Sequence, residues 1–301
     1  MDFTYHRNRK GKRGYCNMTE RVTKRGIREF ILICILAMLV GTFVPVGVSA
    51  ATTYSRTLNS CIVKAKKGRI VLAYNPSQTG VPVYARTSPK SQQYGVLGFG
   101  DAVVVNTKKL KMNKKYAWLP VYMDNLKDAK GRKATAYVQM GRLKILSLNA
   151  KKYSSNRIID KAIKTGMKYL GTPFILGGLS MTDGIDCSGF VGKCFQMAGR
   201  NLANWYHTIT LEGVSRQIFW HNTNTPLTKE ELNKMKVGDL LFYLDKDTTG
   251  AIGHVGIYIG KGMMLNASGH YGYVYPTGGV CIKRVQYGQR YMVLCKRIIG
   301  F

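Results

Sequence analysis

The chain has 301 residues, with 46 Lys and Arg against 15 Asp and Glu and a net charge of +31. That excess is far beyond what solubility requires and expects an anionic partner: nucleic acid, an acidic membrane surface or a polyanionic cell wall. No C-x-x-C pair is present, so a zinc site or redox motif has no support, and no metal or cofactor is expected.

Residues 1–50 read as a secretory signal peptide. A basic start (Arg7, Arg9, Lys10, Lys12, Arg13) leads into the apolar run from Phe30 to Val44, and small residues follow at Val48-Ser49-Ala50-Ala51. Basic region, apolar core and small-x-Ala site place cleavage after Ala50. The alternative is an uncleaved anchor, but the run is short for a span of ~20 residues. Export excludes DNA and RNA as partners of the basic chain, and cleavage leaves no stable membrane span. The expected location is outside a bacterial cell, on the cell wall. Beyond the signal the cysteines are Cys61, Cys187, Cys194, Cys281 and Cys295, an odd set that leaves at least one thiol unpaired.

Residues 51–148 carry short extended stretches separated by turns. Val81–Ala85, Gly100–Val105, Ala117–Val121 and Thr135–Val138 read as strands, which predicts a small β-barrel or sandwich. Charge concentrates here: residues 51–157 hold 21 basic and 3 acidic side chains, residues 158–301 hold 16 and 9. Attraction to a polyanion and chemistry are therefore expected in different domains. The pieces Val83-Tyr84-Ala85-Arg86-Thr87-Ser88-Pro89, Val96–Asp101, Trp118 and Ala136–Leu143 resemble a bacterial SH3-like domain, with Ala136 where that family usually has Gly. The resemblance implies binding to anionic cell-wall polymers. The plainer reading is a spacer barrel in which Trp118 is core.

Residues 149–157 are polar and read as a linker. From Ile158 to Leu170, apolar residues recur at Ile159, Ala162, Ile163, Met167 and Leu170 with basic residues between, an amphipathic helix that ends at Gly171-Thr172-Pro173. A glycine-rich approach, Gly177 to Ile185, then runs into Asp186-Cys187-Ser188-Gly189-Phe190 and a second helical pattern. Cys187 is thereby placed at a helix N-terminus, where the dipole favours the nucleophilic thiolate. A buried structural cysteine is the other reading of the same residue. A polar connection spans Asn201 to Thr228, a short helix Lys229 to Met235, and strands follow at Asp239–Tyr243, His254–Ile259 and Met263–Ala267. Helices first and a meander of strands last make residues 158–301 α+β.

A cysteine nucleophile needs a base, and the base needs a group to hold its ring. His254 opens a strand after Gly253, whereas His207 and His221 lie in the irregular connection and His270 in a Gly/Tyr-rich loop. A turn centred on Gly260 would set His254 directly opposite Asn266 on one face, a Cys-His-Asn arrangement, and a one-residue slip would separate them.

Five motifs carry a second resemblance: Leu170-Gly171-Thr172-Pro173-Phe174, Gly177-Gly178, Asp186–Val191, Gly238-Asp239-Leu240-Leu241-Phe242 and Gly253–Gly260. In order and spacing they resemble the NlpC-type peptidoglycan endopeptidases, papain-like exported enzymes. The resemblance implies that Cys187 attacks, His254 acts as base and then acid, and Asn266 holds the third position, where the family most often has His. It implies peptidoglycan stem peptides as substrate, cut at the D-γ-glutamyl–diamino acid bond through a thioester. Asp186, Ser188 and Phe174 fall at substrate-binding positions, though helix capping would equally explain Asp186 and Ser188. Phe174 stands where members often have Tyr. These departures leave a catalytically impaired wall-binding protein, or an amidase or acyltransferase on the same fold, as the alternatives.

Overall fold

Among the described residues, nine strands hydrogen-bond edge to edge into one sheet that crosses from the first half of the chain to the second. The structure is a computed structural model that describes residues 59–110, 118–204, 206–221, 225–244, 251–269, 275–286 and 292–300. The signal-peptide reading and His270 lie outside these residues. The sheet takes β1 (Arg69–Tyr74), β4 (Asp101–Val104) and β7 (Lys144–Asn149) from the first half. From the second it takes β10 (Ser215–Trp220), β11 (Leu240–Leu244), β12 (Ile252–Gly260), β13 (Met263–Ser268), β14 (Gly279–Arg284) and β15 (Met292–Ile298). Their order is β10-β15-β11-β12-β13-β14-β4-β1-β7. The remaining strands of the first half, β2 (Val81–Tyr84), β3 (Gln93–Leu97), β5 (Trp118–Lys127) and β6 (Lys133–Gln139), form a separate four-stranded sheet. β8 (Leu179–Ser180) and β9 (Gly184–Ile185) make a small ribbon just before Cys187.

The seam between the halves is the β4–β14 pair, in which Lys283 faces Asp101. The two side chains form an ion pair with only 4% and 2% of their surfaces exposed. Lys283 Nζ also donates to the Thr277 carbonyl at 2.8 Å. Arg284 stacks over the Tyr74 ring, 5.3 Å from its centroid. Residues 149–157, read from sequence as a linker, are tied to the helix that follows them: the Tyr153 N–H donates to Asp160 Oδ1 at 2.7 Å.

The helix Arg157–Lys168 starts where Asn156 accepts from the Ile158 and Ile159 N–H groups and buries Ala162, Ile163, Thr165 and Gly166. The helix Cys187–Ala198 is capped by Asp186 and closed by Gly199 in the left-handed conformation. Both helices share one apolar cluster with β13 and the first half, through Ile163, Phe190, Phe195, Leu265 and Val103. The architecture is α+β and mostly sheet. The connection from Asn201 to Thr228 is not irregular throughout. It contains a helix, Thr208–Gly213, and the edge strand β10, paired with β15. Three more strands that the sequence reading passed over, β1, β3 and β7, complete the first half, and β14 and β15 complete the second. Among the described residues no helix is long and apolar enough to cross a membrane.

Candidate active site

Asp186 builds the N-terminus on which Cys187 sits. Its Oδ1 accepts from the Gly189 N–H at 2.6 Å and the Ser188 hydroxyl at 2.9 Å, while its Oδ2 accepts from the Gly177 N–H at 3.0 Å. One carboxylate thus caps the helix and ties down the glycine-rich loop. Ser188 Oγ also lies 3.1 Å from the Tyr206 carbonyl. Both side chains face inward, so capping accounts for the geometry of each. Cys187, the first residue of the helix, receives the partial positive charge of the N-terminus.

The other cysteines have a different setting. Burial pushes the Cys281 thiol up to about 11 and raises Cys61, Cys194 and Cys295 as well. None of the five forms a disulfide among the described residues. The odd count therefore marks no broken pairing, and the four raised thiols are packing groups.

His254 enters from β12. A bulge at Gly253, between the pairs Tyr243–His254 and Leu244–Ile252, re-aims the strand just before His254. The Cys187 Sγ lies 4.0 Å from the carbonyl oxygen of Gly253, the residue before His254, which puts the thiol at this end of the sheet. Across β11 the Tyr243 ring packs on the imidazole, with centroids 5.7 Å apart and planes tilted by 54°. The Tyr243 hydroxyl, held by the Val285 carbonyl at 2.6 Å, fixes that ring in turn. Nothing in the pattern of residues around Tyr243 marks it for this role.

The hairpin register differs from the expected one. The turn falls at Lys261 and Gly262, both with positive φ (55° and 71°), as a tight β-hairpin turn requires. Pairing runs Ile257–Leu265 and Tyr258–Met264, which shifts the partner of Asn266 from His254 to Gly256. The shift is two residues, so both side chains keep one face. Gly256 makes the diagonal contact possible, because a Cβ there would lie 3.2 Å from that of Asn266. His254 Nε2 and Asn266 Oδ1 are 3.1 Å apart. The Asn266 amide is oriented by Nδ2, which donates to the Cys281 carbonyl at 3.1 Å. Its oxygen therefore accepts from Nε2–H, which leaves Nδ1 as the basic nitrogen of a neutral ring. Cys187, His254 and Asn266 are 8%, 3% and 0% exposed.

The remaining histidines among the described residues stand apart. His207 caps the Thr208–Gly213 helix. His221 sits between the Glu231 carboxylate at 2.9 Å and the Thr225 carbonyl at 2.7 Å. Phe174 bridges to Ile185 of β9 and packs over Gly269. Beside it the loop exposes Ile175 (51%) and Leu176 (80%) as an apolar lip. No group of His, Cys, Asp and Glu among the described residues is arranged to hold a metal.

A nucleophile at a helix N-terminus, an imidazole and an amide that orients it can perform acyl transfer. The family described as NlpC/P60 matches residues 171–290. A γ-D-glutamyl-L-lysine dipeptidyl-peptidase of Bacillus subtilis is 38% identical over 108 residues, 36% of this chain and 31% of that protein. A probable endopeptidase of Haemophilus influenzae is 35% identical over 111 residues, 36% of this chain and 59% of that protein. The match thus spans less than two thirds of each relative. A solved NlpC/P60 family protein from Bacillus cereus aligns over 80% of this chain and 67% of its own, at 19% identity and a TM-score of 0.36.

Proposed function

Residues 171–290 are an NlpC/P60 domain, and on that premise we propose that the chain is an exported cysteine peptidase that cuts the stem peptides of peptidoglycan. The bond is D-γ-glutamyl to a diamino acid, a class that the name of the Bacillus subtilis relative supports. The observation that carries the reading is the His254–Asn266 bond with its amide direction fixed, beside the thiol of Cys187.

His254 Nδ1 takes the proton of Cys187, and the thiolate adds to the γ-carbonyl carbon. The oxyanion forms at the N-terminus of the Cys187 helix, where the backbone concentrates positive charge. As the C–N bond breaks, the imidazolium returns the proton to the departing amine and a thioester remains on Cys187. Water, deprotonated by His254, then attacks the thioester, and the free carboxylate leaves with the thiol restored. Asn266 stays neutral throughout and holds the ring. Phe174 offers no hydroxyl to the reacting carbonyl, so the site relies on backbone donors. The first half of the chain, with its excess of basic residues, serves as the wall-binding module that the SH3-like resemblance implies.

The test uses the chain from Ala51, with Cys187→Ala alongside, on purified peptidoglycan and on defined stem peptides, with products read by mass spectrometry. New ends at the D-Glu–diamino acid bond, absent with Cys187→Ala, are expected. New ends at an amide outside the stem would make it an amidase. No products from several wall types, with retention on wall intact, would leave a binding protein.

A further inference from the structure

The helix Arg157–Lys168 borders a pocket that no step of this chemistry uses. The pocket has a volume of about 520 Å³ and lies between that helix and strands β1, β4, β5 and β6. Leu170, Tyr122 and Tyr153 line it, together with Lys133, Lys161, Lys164 and Lys168.

Its charge is unbalanced in a specific way. Asp124 is the one carboxylate among the described lining residues, and both of its oxygens are engaged. One pairs with Lys133, and the other accepts from the Tyr275 hydroxyl at 2.8 Å. Lys164 is likewise occupied, by Asp160 at 2.8 Å and by the Lys151 carbonyl at 2.6 Å. Lys161 and Lys168 have no ion-pair or hydrogen-bond partner among the described residues, and both are exposed. They lie two helical turns apart on one face, a rise of ~10 Å. Burial pushes the Tyr153 phenol up to about 12, so its hydroxyl stays a neutral donor. Two unmatched ammonium groups at this spacing fit successive charges on a chain better than one compact anion.

The pocket is also close to the reacting end. Leu170 lines it and Phe174 follows four residues later, at most ~14 Å along the chain. Phe174 in turn bridges to Ile185, two residues before Cys187.

We propose that this pocket is a second ligand site, which holds the phosphate groups of a polyol-phosphate wall polymer on Lys161 and Lys168, beside Tyr122 and Tyr153. It rests on the cell-wall reading proposed above and gives it an address: the polymer is held between the Arg157–Lys168 helix and strands of the first half, rather than on the four-stranded sheet alone.

The test titrates soluble poly(glycerol phosphate) into the chain from Ala51 at an ionic strength of ~0.15 M, where charges beyond ~8 Å are screened. Lys161→Glu with Lys168→Glu is compared with Lys108→Glu with Lys109→Glu, an equal change of charge outside the pocket. Hydrolysis of a soluble stem peptide is followed in parallel. The pocket variant is expected to bind at least tenfold more weakly, the control within threefold of the parent, with stem-peptide hydrolysis unchanged in both. Should the charge reversal unfold the chain, Lys161→Gln with Lys168→Gln is expected to show the same order of effects. Equal losses in both variants, no loss in either, or equal affinity for single-stranded DNA would overturn the proposal. Hydrolysis without polymer binding sinks the pocket alone; pocket-dependent binding without hydrolysis sinks the peptidase reading alone.

Discussion

The candidate active site and the lysine pocket lie at the two ends of one short stretch, Leu170 to Cys187, and are built on opposite plans. At Cys187 the groups are short, at most 8% exposed, and His254 and Asn266 are held by partners that are themselves fixed to backbone. At the pocket the groups are long and cationic, and two of them project from the helix without a partner. Bond cleavage rewards a geometry held before substrate arrives, whereas a polymer of repeating charge is gripped by side chains that adjust to it. The first plan loses almost everything with one atom misplaced. The second loses affinity in small, salt-dependent steps.

The largest loss is expected within the site itself. In a triad that acts as a unit, loss of nucleophile or base costs about 10⁶-fold in kcat and loss of the orienting group about 10⁴-fold. His254→Ala is therefore expected to match Cys187→Ala, and Asn266→Ala to retain more activity than either. Stem-peptide kinetics on the three variants check the order. Equal activity of Asn266→Ala and the parent would remove Asn266 from the site.

At the seam the expected effect is on stability. Asp101 is 2% exposed and also accepts from the Gly98 N–H at 2.8 Å. Lys283→Met would leave that carboxylate buried with no counter-charge, which costs about 3–5 kcal/mol. In a unit of this size that lowers Tm by roughly 10 °C. Lys283→Met with Asp101→Leu, which removes both charges, is expected to recover most of the loss. A double variant as unstable as the single one would show that the pair contributes more than mutual neutralisation.

How much of this was legible beforehand follows the range of each signal. Cys187 at a helix start is local: a cap, a glycine loop and a 3.6-residue apolar period lie within one stretch. His254 with Asn266 is nearly local, and the misjudged turn at Lys261-Gly262 did no harm because an even slip preserves the face. The seam could not be read, since β4 and β14 pair across more than 180 positions and their residues look like any other short strand. Strand β10 was hidden because Ser215–Trp220 mixes polar and aromatic residues at the sheet edge and buries only Ser215 and Phe219. The pocket was invisible for a different reason: lysines at 161, 164 and 168 read as the solvated face of an amphipathic helix.

A smaller effect is expected where the loop between the two sites touches the first half. Gly171 has φ of +92°, and a Cβ there would come within 2.5 Å of the Asn125 backbone nitrogen. Gly171→Ala thus combines left-handed strain of about 1–2 kcal/mol with a backbone clash. It is expected to lower Tm by several degrees and to weaken polymer binding and hydrolysis together. A variant that alters one function alone would show that the loop does not link the sites.

The smallest change separates the pocket from the seam. Asp124, like Asp101, is a buried carboxylate paired with lysine, but its partner Lys133 is 37% exposed and reaches water. Desolvation pushes the Asp124 carboxyl above its usual range, and Lys133 and the Tyr275 hydroxyl only partly offset it. A raised value in the fold means that Asp124 contributes stability below its unfolded pKa and loses that contribution as pH rises through its folded one. At neutral pH the charge is a net burden, so Asp124→Asn, which keeps an acceptor for Tyr275, is expected to stabilise by about 1 kcal/mol or less. Thermal melts of parent and variant from pH 7 downward should converge as Asp124 takes up its proton. A loss of more than ~2 kcal/mol at pH 7 would instead make Asp124–Lys133 a structural pair of the same kind as Asp101–Lys283. The pocket would then need that carboxylate as a brace, and only Lys161 and Lys168 would remain adjustable there.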